Sequence, residues 1–346
     1  MKTFLTLETD VTQLNTGFEQ SKNILAASSD VLTLKPNTLT ELEVLQVTLG
    51  WLTVGNHLLA RSGVESLINK PAFGWACGSY VLWTGDDYIL SELNGPIEVW
   101  KNELAKDRSH PVIYKELGSR ALARAYHGCR NTSAAQDLED SLIFQGEKSS
   151  LDNFEREQTD PLFEIPPLPS TPDQLAAILG LTRQGGNPNV DQLYLLWKQL
   201  NTLHSDSDTK ELSDRLILAS LIACSFFLGM MGTLPDASSG QLTLEPNIPN
   251  NLNYFRFRDL RMGLDAVDFA YMEEDGQHTF VIEQNRGRVP LNLIFKPNLS
   301  GVEIEQIYID GELAQLEWWA HAEVGRVATQ VQLYLDQKRT VTIVPA

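Results

Sequence analysis

The hydrophobic period changes once along this chain, near Gly232, and that change limits what it can fold into. Upstream, apolar residues recur every three or four positions, the spacing of one helix face; downstream they alternate, the spacing of a strand. Val11, Leu14, Phe18, Ile24 and Leu25 predict a helix from Asp10 to about Ser29. Leu42, Leu45, Leu49 and Leu52 predict one from Leu39 to Arg61, capped by Thr38 or Thr40. Pro71 divides the segment Val64 to Trp83 in two. Tyr88 to Ala105 reads as helix interrupted near Asn94-Gly95-Pro96, with Asp86 or Asp87 at its cap. Further helices are expected over Pro111–Arg130, Ala134–Phe144, Pro172–Leu181, Asp191–Leu203 and Glu211–Met231. That makes about nine helices.

Past Gly232, strands are expected at Gln241–Leu244, Tyr254–Arg258, Ala266–Phe269, Thr279–Ile282, Leu291–Phe295, Glu303–Ile309, Gln330–Leu335 and Thr340–Val344. Glu274-Asp275-Gly276, Asn285-Arg286-Gly287 and Asp310-Gly311 separate them as turns. The expected fold class is therefore multidomain, α then β. A helical domain over 1–234 is followed by a C-terminal antiparallel β-sandwich over 241–346. A chain of 346 residues has room for both.

Charge removes some functions. With 27 basic and 45 acidic residues, the formal net charge of -18 repels phosphate backbones and anionic membranes. Neither nucleic acid nor a membrane is an expected partner; a neutral ligand such as a sugar is compatible. Cys77, Cys129 and Cys224 are odd in number, far apart and without CxxC spacing, so free thiols in a reducing compartment are expected. The apolar start is cut off by Glu8 and Asp10, and the run Leu216 to Met231 reads as a buried helix. Together these give a cytoplasmic expectation. The six histidines are scattered, without HExxH, and neither a Walker loop nor GxSxG occurs, so no metal or cofactor is expected.

The boundary also carries a family likeness. Pro235-Asp236-Ala237, Gly240, Leu242, Leu244, Pro246, Ile248-Pro249 and Phe257-Arg258-Asp259-Leu260-Arg261-Met262-Gly263 resemble the end of the catalytic barrel in six-hairpin glycosidases of the glycogen-debranching-like kind. Leu7 to Asn15 looks like the entry to the first barrel helix, and Tyr80 to Asp86 like a barrel helix ending at a Thr-Gly-Asp turn. The resemblance implies an (α/α) toroid-like helical domain. Twelve helices are the family's pattern, so about nine make this one incomplete or degenerate, or part of a larger chain. The family's Trp- and Gly-rich acid loop has no good match here.

The resemblance further implies a carbohydrate-active protein that hydrolyses α-glucosides with a carboxylate acid and base, holding an oligosaccharide or polysaccharide ligand. The alternative is a non-catalytic relative serving as a carbohydrate-binding or protein-assembly module. Glycoside hydrolysis needs two carboxylates across the scissile bond, one kept protonated. The proline-rich, acidic stretch Gln145 to Thr171 supplies the catalytic candidates Glu155, Glu157 and Asp160, with Asp152 and Glu164 beside them; its plain reading is a solvated linker. Asp86 is a fourth candidate, with a helix cap as its plain reading. Trp75, Trp83 and Trp100 are candidate sugar-stacking residues and equally candidate core. In Trp318-Trp319, one ring of the adjacent pair must point away from the core of its strand.

Overall fold

The change of period falls where helix gives way to strand in the computed structural model. It describes residues 5–27, 39–106, 111–143, 169–179, 190–205, 212–299, 302, 304–314, 317–321 and 326–345. The helices are α1 (Thr12–Ala27), α2 (Glu41–Thr53), α3 (His57–Ser66), α4 (Phe73–Thr84), α5 (Tyr88–Glu92), α6 (Asn94–Lys106), α7 (Val112–Gly128), α8 (Thr132–Ile143), α9 (Pro172–Ile178), α10 (Val190–Ser205) and α11 (Leu212–Cys224). A π-helical segment, Ser225–Met230, extends α11. Packed neighbours run in the order α10, α1, α11, α2, α3, α4, α7, α8.

Local chemistry accounts for the boundaries. Thr40 caps α2 in a reciprocal box: its hydroxyl accepts from the Glu43 amide at 3.3 Å, and the Glu43 carboxylate accepts from the Thr40 amide at 2.6 Å. The single helix expected over Leu39–Arg61 is two. Gly55 takes a φ of 76° there, which stops α2, and a Cβ at this position would lie 3.1 Å from Cδ of Arg261. The helix therefore breaks where a sheet side chain packs into the turn.

The strands are β1 (Thr6–Thr9), β2 (Leu234–Asp236), β3 (Gln241–Leu244), β4 (Asn247–Ile248), β5 (Tyr254–Met262), β6 (Asp265–Glu274), β7 (Gln277–Arg286), β8 (Asn292–Phe295), β9 (Asn298–Leu299), β10 (Ile304–Ile309), β11 (Glu312–Leu313), β12 (Glu317–His321), β13 (Arg326–Tyr334) and β14 (Arg339–Pro345). A seven-stranded antiparallel sheet runs β1-β5-β6-β7-β14-β10-β11, and a five-stranded sheet β12-β13-β8-β3-β2. The second sheet is mixed, because β3 and β8 are parallel. Phe280 and Phe295 join the two sheets with ring centroids 5.0 Å apart.

β1 leads into the first helix. Leu7 pairs with Phe257 in an antiparallel ladder, Thr6 facing Arg258 and Thr9 facing Phe255. The segment alternates buried and exposed residues, and the helix begins only at Thr12.

One apolar core runs through both halves. The π-helical segment joins them. Phe226 lies 4.8 Å from Trp197 of α10 and 5.9 Å from Phe255 of β5, while Phe227 lies 5.8 Å from Phe18 of α1 and 5.3 Å from Phe257. The extra residue in a π turn offsets the ladder and frees carbonyls. Asn247 takes them up: its Nδ2 donates to the carbonyls of Gly229, Met230 and Glu245, each at 3.2 Å. The span Leu212–Met230 is long and apolar enough to cross a membrane, but most of it is buried inside the protein. Among the three free cysteines, Cys77 and Cys224 are buried and Cys129 is half-buried.

Candidate functional site

The three tryptophans singled out in the sequence are core residues, at 3%, 3% and 4% exposure for Trp75, Trp83 and Trp100. None presents a ring face to a ligand. Trp100 fills a slot made by two glycines: a Cβ on Gly74 of α4 would lie 2.3 Å from its ring, and one on Gly118 of α7 2.6 Å. Its indole Nε1 donates to the Pro71 carbonyl at 2.9 Å.

Asp86 sits in the turn after α4 and is engaged there. Its amide donates to Thr84 Oγ1, its carboxylate accepts from the Tyr80 hydroxyl at 3.2 Å, and Arg61 reaches it at 3.4 Å. Arg61 also binds Glu92 at 2.5 Å and Glu65 at 3.1 Å. Burial, then Asp86, push the Tyr80 phenol up to about 12. Asp87 holds the cap position of α5 without a side-chain cap bond, so neither aspartate caps that helix. Glu155, Glu157 and Asp160 lie outside the described residues, as does the rest of the acidic stretch through Leu168. The side chains of Trp318 and Trp319 also lie outside the described part.

The segment that carries the family likeness is a seam. The Ala237 amide donates to the Leu82 carbonyl at 2.9 Å, and the Gly263 amide to that of Trp83 at 2.7 Å. Gly85 and Gly263 both have positive φ, and a Cβ at either would sit 3.3 Å from the Ala237 methyl. Asp236 Oδ1 accepts from the Ser239 amide and closes the turn into β3. These residues fasten the end of α4 to the sheet, and the motif is explained by packing.

A second seam adds a titratable group. His57 opens α3, and its Nε2 is buried without a partner. Burial, and then the nearby Arg261, lower its pKa below 6.5. Arg261 is itself bound to Asp259 at 2.9 Å, and Asp259 has a φ of 60° beside the bulge in β5. A histidine with a depressed folded pKa takes its proton more readily in the unfolded chain. Stability should therefore fall as pH drops below 6.5. His57→Phe should flatten this acid-side decline in thermal midpoints measured between pH 8 and pH 5.5; an unchanged decline would remove His57 as its source.

Sequence reasoning missed a buried phenol that feels the charge of two carboxylates from other helices. Tyr114, Glu41 and Asp173 stand in the first turns of α7, α2 and α9. Tyr114 is 4% exposed. Burial raises its pKa, and the charges of Glu41 and Asp173 raise it further. Glu41 Oε1 also accepts from the Ala72 amide at 2.6 Å, which ties in the start of α4. Helix starts favour carboxylates, so Glu41 and Asp173 each suit the first turn of their own helix. Asp173 departs from that simple role, since burial raises its pKa against its own backbone hydrogen bond. A carboxyl pushed by burial toward its neutral form is one requirement of a general acid. The signal was hidden because the three residues lie on helices far apart in sequence. Among the described residues no group of three or more His, Cys, Asp or Glu is placed to hold a metal ion.

No family model and no curated protein matches the chain. Among solved structures it is similar to an alpha-L-rhamnosidase from Dictyoglumus thermophilum, at 9% identity and a TM-score of 0.49, with 98% of this chain and 50% of that one covered. It is also similar to a protein described as a kojibiose phosphorylase, from the human microbiome, at 9% identity and a TM-score of 0.26, over 78% of this chain and 43% of that one. The chain thus spans about half the length of the first of these structures or less than that of the second.

Proposed function

We propose that this chain is a carbohydrate-active relative of the six-hairpin glycosidases that binds an oligosaccharide without hydrolysing it. Its helices are read as part of an (α/α) toroid, used as a scaffold. One observation carries this reading. Trp75, Trp83 and Trp100, which a sugar cleft would expose, are buried in the core, and the half-buried Asp86 is engaged by Arg61 and Tyr80. The net charge of -18 suits a neutral ligand.

A second reading is favoured by Asp173. In it the chain hydrolyses α-glucosides, with Asp173 as proton donor and Glu41, or one of Glu155, Glu157 and Asp160, as the opposing carboxylate. A hydrolysis and binding screen on malto- and isomalto-oligosaccharides separates the two. Wild type, Asp173→Asn, Glu155→Gln, Glu157→Gln and Asp160→Asn should all bind alike and release no sugar. Turnover in wild type that falls about a hundredfold or more in any of these variants would overturn the non-hydrolytic reading, since acid–base catalysis contributes about 10²–10⁴-fold.

A further inference from the structure

Pro246 and the Ile248-Pro249 pair belong to the family likeness, and the seam does not use them. Their segment builds one wall of a recess in the β half. Ile248, Pro249 and Leu252 meet Leu299 and Val302 to form an apolar floor, and Asn250, Asn253, Tyr271, Glu273 and His278 supply polar groups around it. The recess offers about 70 Å³, several times the ~10–15 Å³ that one water needs. Apolar lining with a few convergent polar groups is the usual make-up of a small-molecule site.

The polar side is fixed before any ligand arrives. Glu273 and His278 are directly opposed across the β6–β7 ladder. The Tyr271 hydroxyl lies 2.9 Å from His278 Nδ1, and Tyr271 is 2% exposed. The other ring nitrogen, Nε2, offers a donor when the hydroxyl donates to Nδ1 and an acceptor when Nδ1 donates to the hydroxyl. Burial lowers the His278 pKa, against the pull of Glu273, so the ring is neutral at pH 7. Glu273 commits Oε1 to the Gly276 amide at 3.1 Å. The wall is stiff as well: Asn247 is locked to the π turn, and the Asn253 backbone is held between Asp10 and Glu273.

Among the described residues the lining contains no lysine or arginine. An anion would face the Glu273 carboxylate with no cation to balance it, so phosphates and carboxylates are refused. A ligand with several neutral hydroxyls fits: the asparagine amides donate and accept, the carboxylate accepts, and a hydroxyl can pair with the imidazole in either tautomer. A CH-rich face can lie on Leu299 and Val302.

The geometry points to this recess as the binding site for a single neutral sugar unit, a location that rests on the carbohydrate-binding reading above. The probe is methyl α-D-glucopyranoside, followed by saturation-transfer difference NMR on the full chain, with inorganic phosphate and ammonium as competitors. Binding should be in the range of about 1 mM. It should weaken at least tenfold in Asn253→Ala and in Glu273→Gln, and neither competitor should displace it. Val302→Phe, which fills the recess without touching a polar group, should abolish it at an unchanged melting temperature. Sugar binding that survives all three changes would overturn the location and leave the carbohydrate-binding reading standing. Displacement by phosphate or ammonium would overturn the ligand class. An absence of binding by the glucoside and by every oligosaccharide of the screen would overturn both.

Discussion

Trp100→Ala should destabilise the protein by about 3–5 kcal/mol, the range for removing a large buried aromatic from a well-packed core. The ring is 4% exposed, lies against two glycines of different helices, and carries an indole bond to Pro71. Its loss leaves a cavity between α4 and α7 together with an unpaired carbonyl. A paired change tests the packing directly. A Cβ on Gly74 would meet three Trp100 atoms at 2.3–2.5 Å and no other atom ranks nearer. Gly74→Ala should therefore cost about 1–3 kcal/mol in the wild type through overpacking. In the Trp100→Ala background the obstruction is gone, and alanine's helix preference should yield a gain of up to about 1 kcal/mol. Urea denaturation of the four proteins gives the coupling. Additive effects would show that the ring does not set the glycine requirement.

Asn247→Asp should be comparably severe. The asparagine is 2% exposed, and its amide nitrogen faces three carbonyl oxygens while its Oδ1 accepts from Asn298 at 2.8 Å. A carboxylate there would face three acceptors with no proton to share, and a buried uncompensated charge costs about 3–5 kcal/mol. The pH dependence has a definite sign. The new carboxyl would have a folded pKa raised above its unfolded value of about 3.9. Its penalty is therefore greatest at neutral pH and shrinks as pH falls through the raised folded pKa. Denaturation midpoints at pH 7 and pH 5 should show the gap to wild type narrowing. An equal gap at both would mean that the nitrogen's bonds do not hold the π turn. Asn247→Ala, which removes the donor without adding charge, should cost about 1–3 kcal/mol.

The order of helices then strands was legible because each half keeps one hydrophobic period over many residues. Short elements were not. β2, β4, β9 and β11 are two or three residues long, too short for any period to show. The break at Gly55 does carry a local signal, the Gly55-Asn56 pair, which the apolar period running on through Leu58 and Leu59 concealed. The tryptophans show the limit for the site. Residue type suggested sugar platforms, but the partners that bury Trp100 are glycines, and a glycine leaves no trace of what packs against it. The effect of Glu41 and Asp173 on Tyr114 needs three helices to be placed first, and the recess needs β4, β6, β7 and β9 together.

The ladder between β1 and β5 has a consequence for how the chain is made. Strand β1 finds its partner only after some 250 further residues have been made, since Thr9 pairs with Phe255 and Thr6 with Arg258. Until then its edge is unpaired, and closing so long a loop makes late folding slow. The helical half is thus completed last at its own beginning. A separately expressed β half would carry β5 as a bare edge, open to pairing with a second copy.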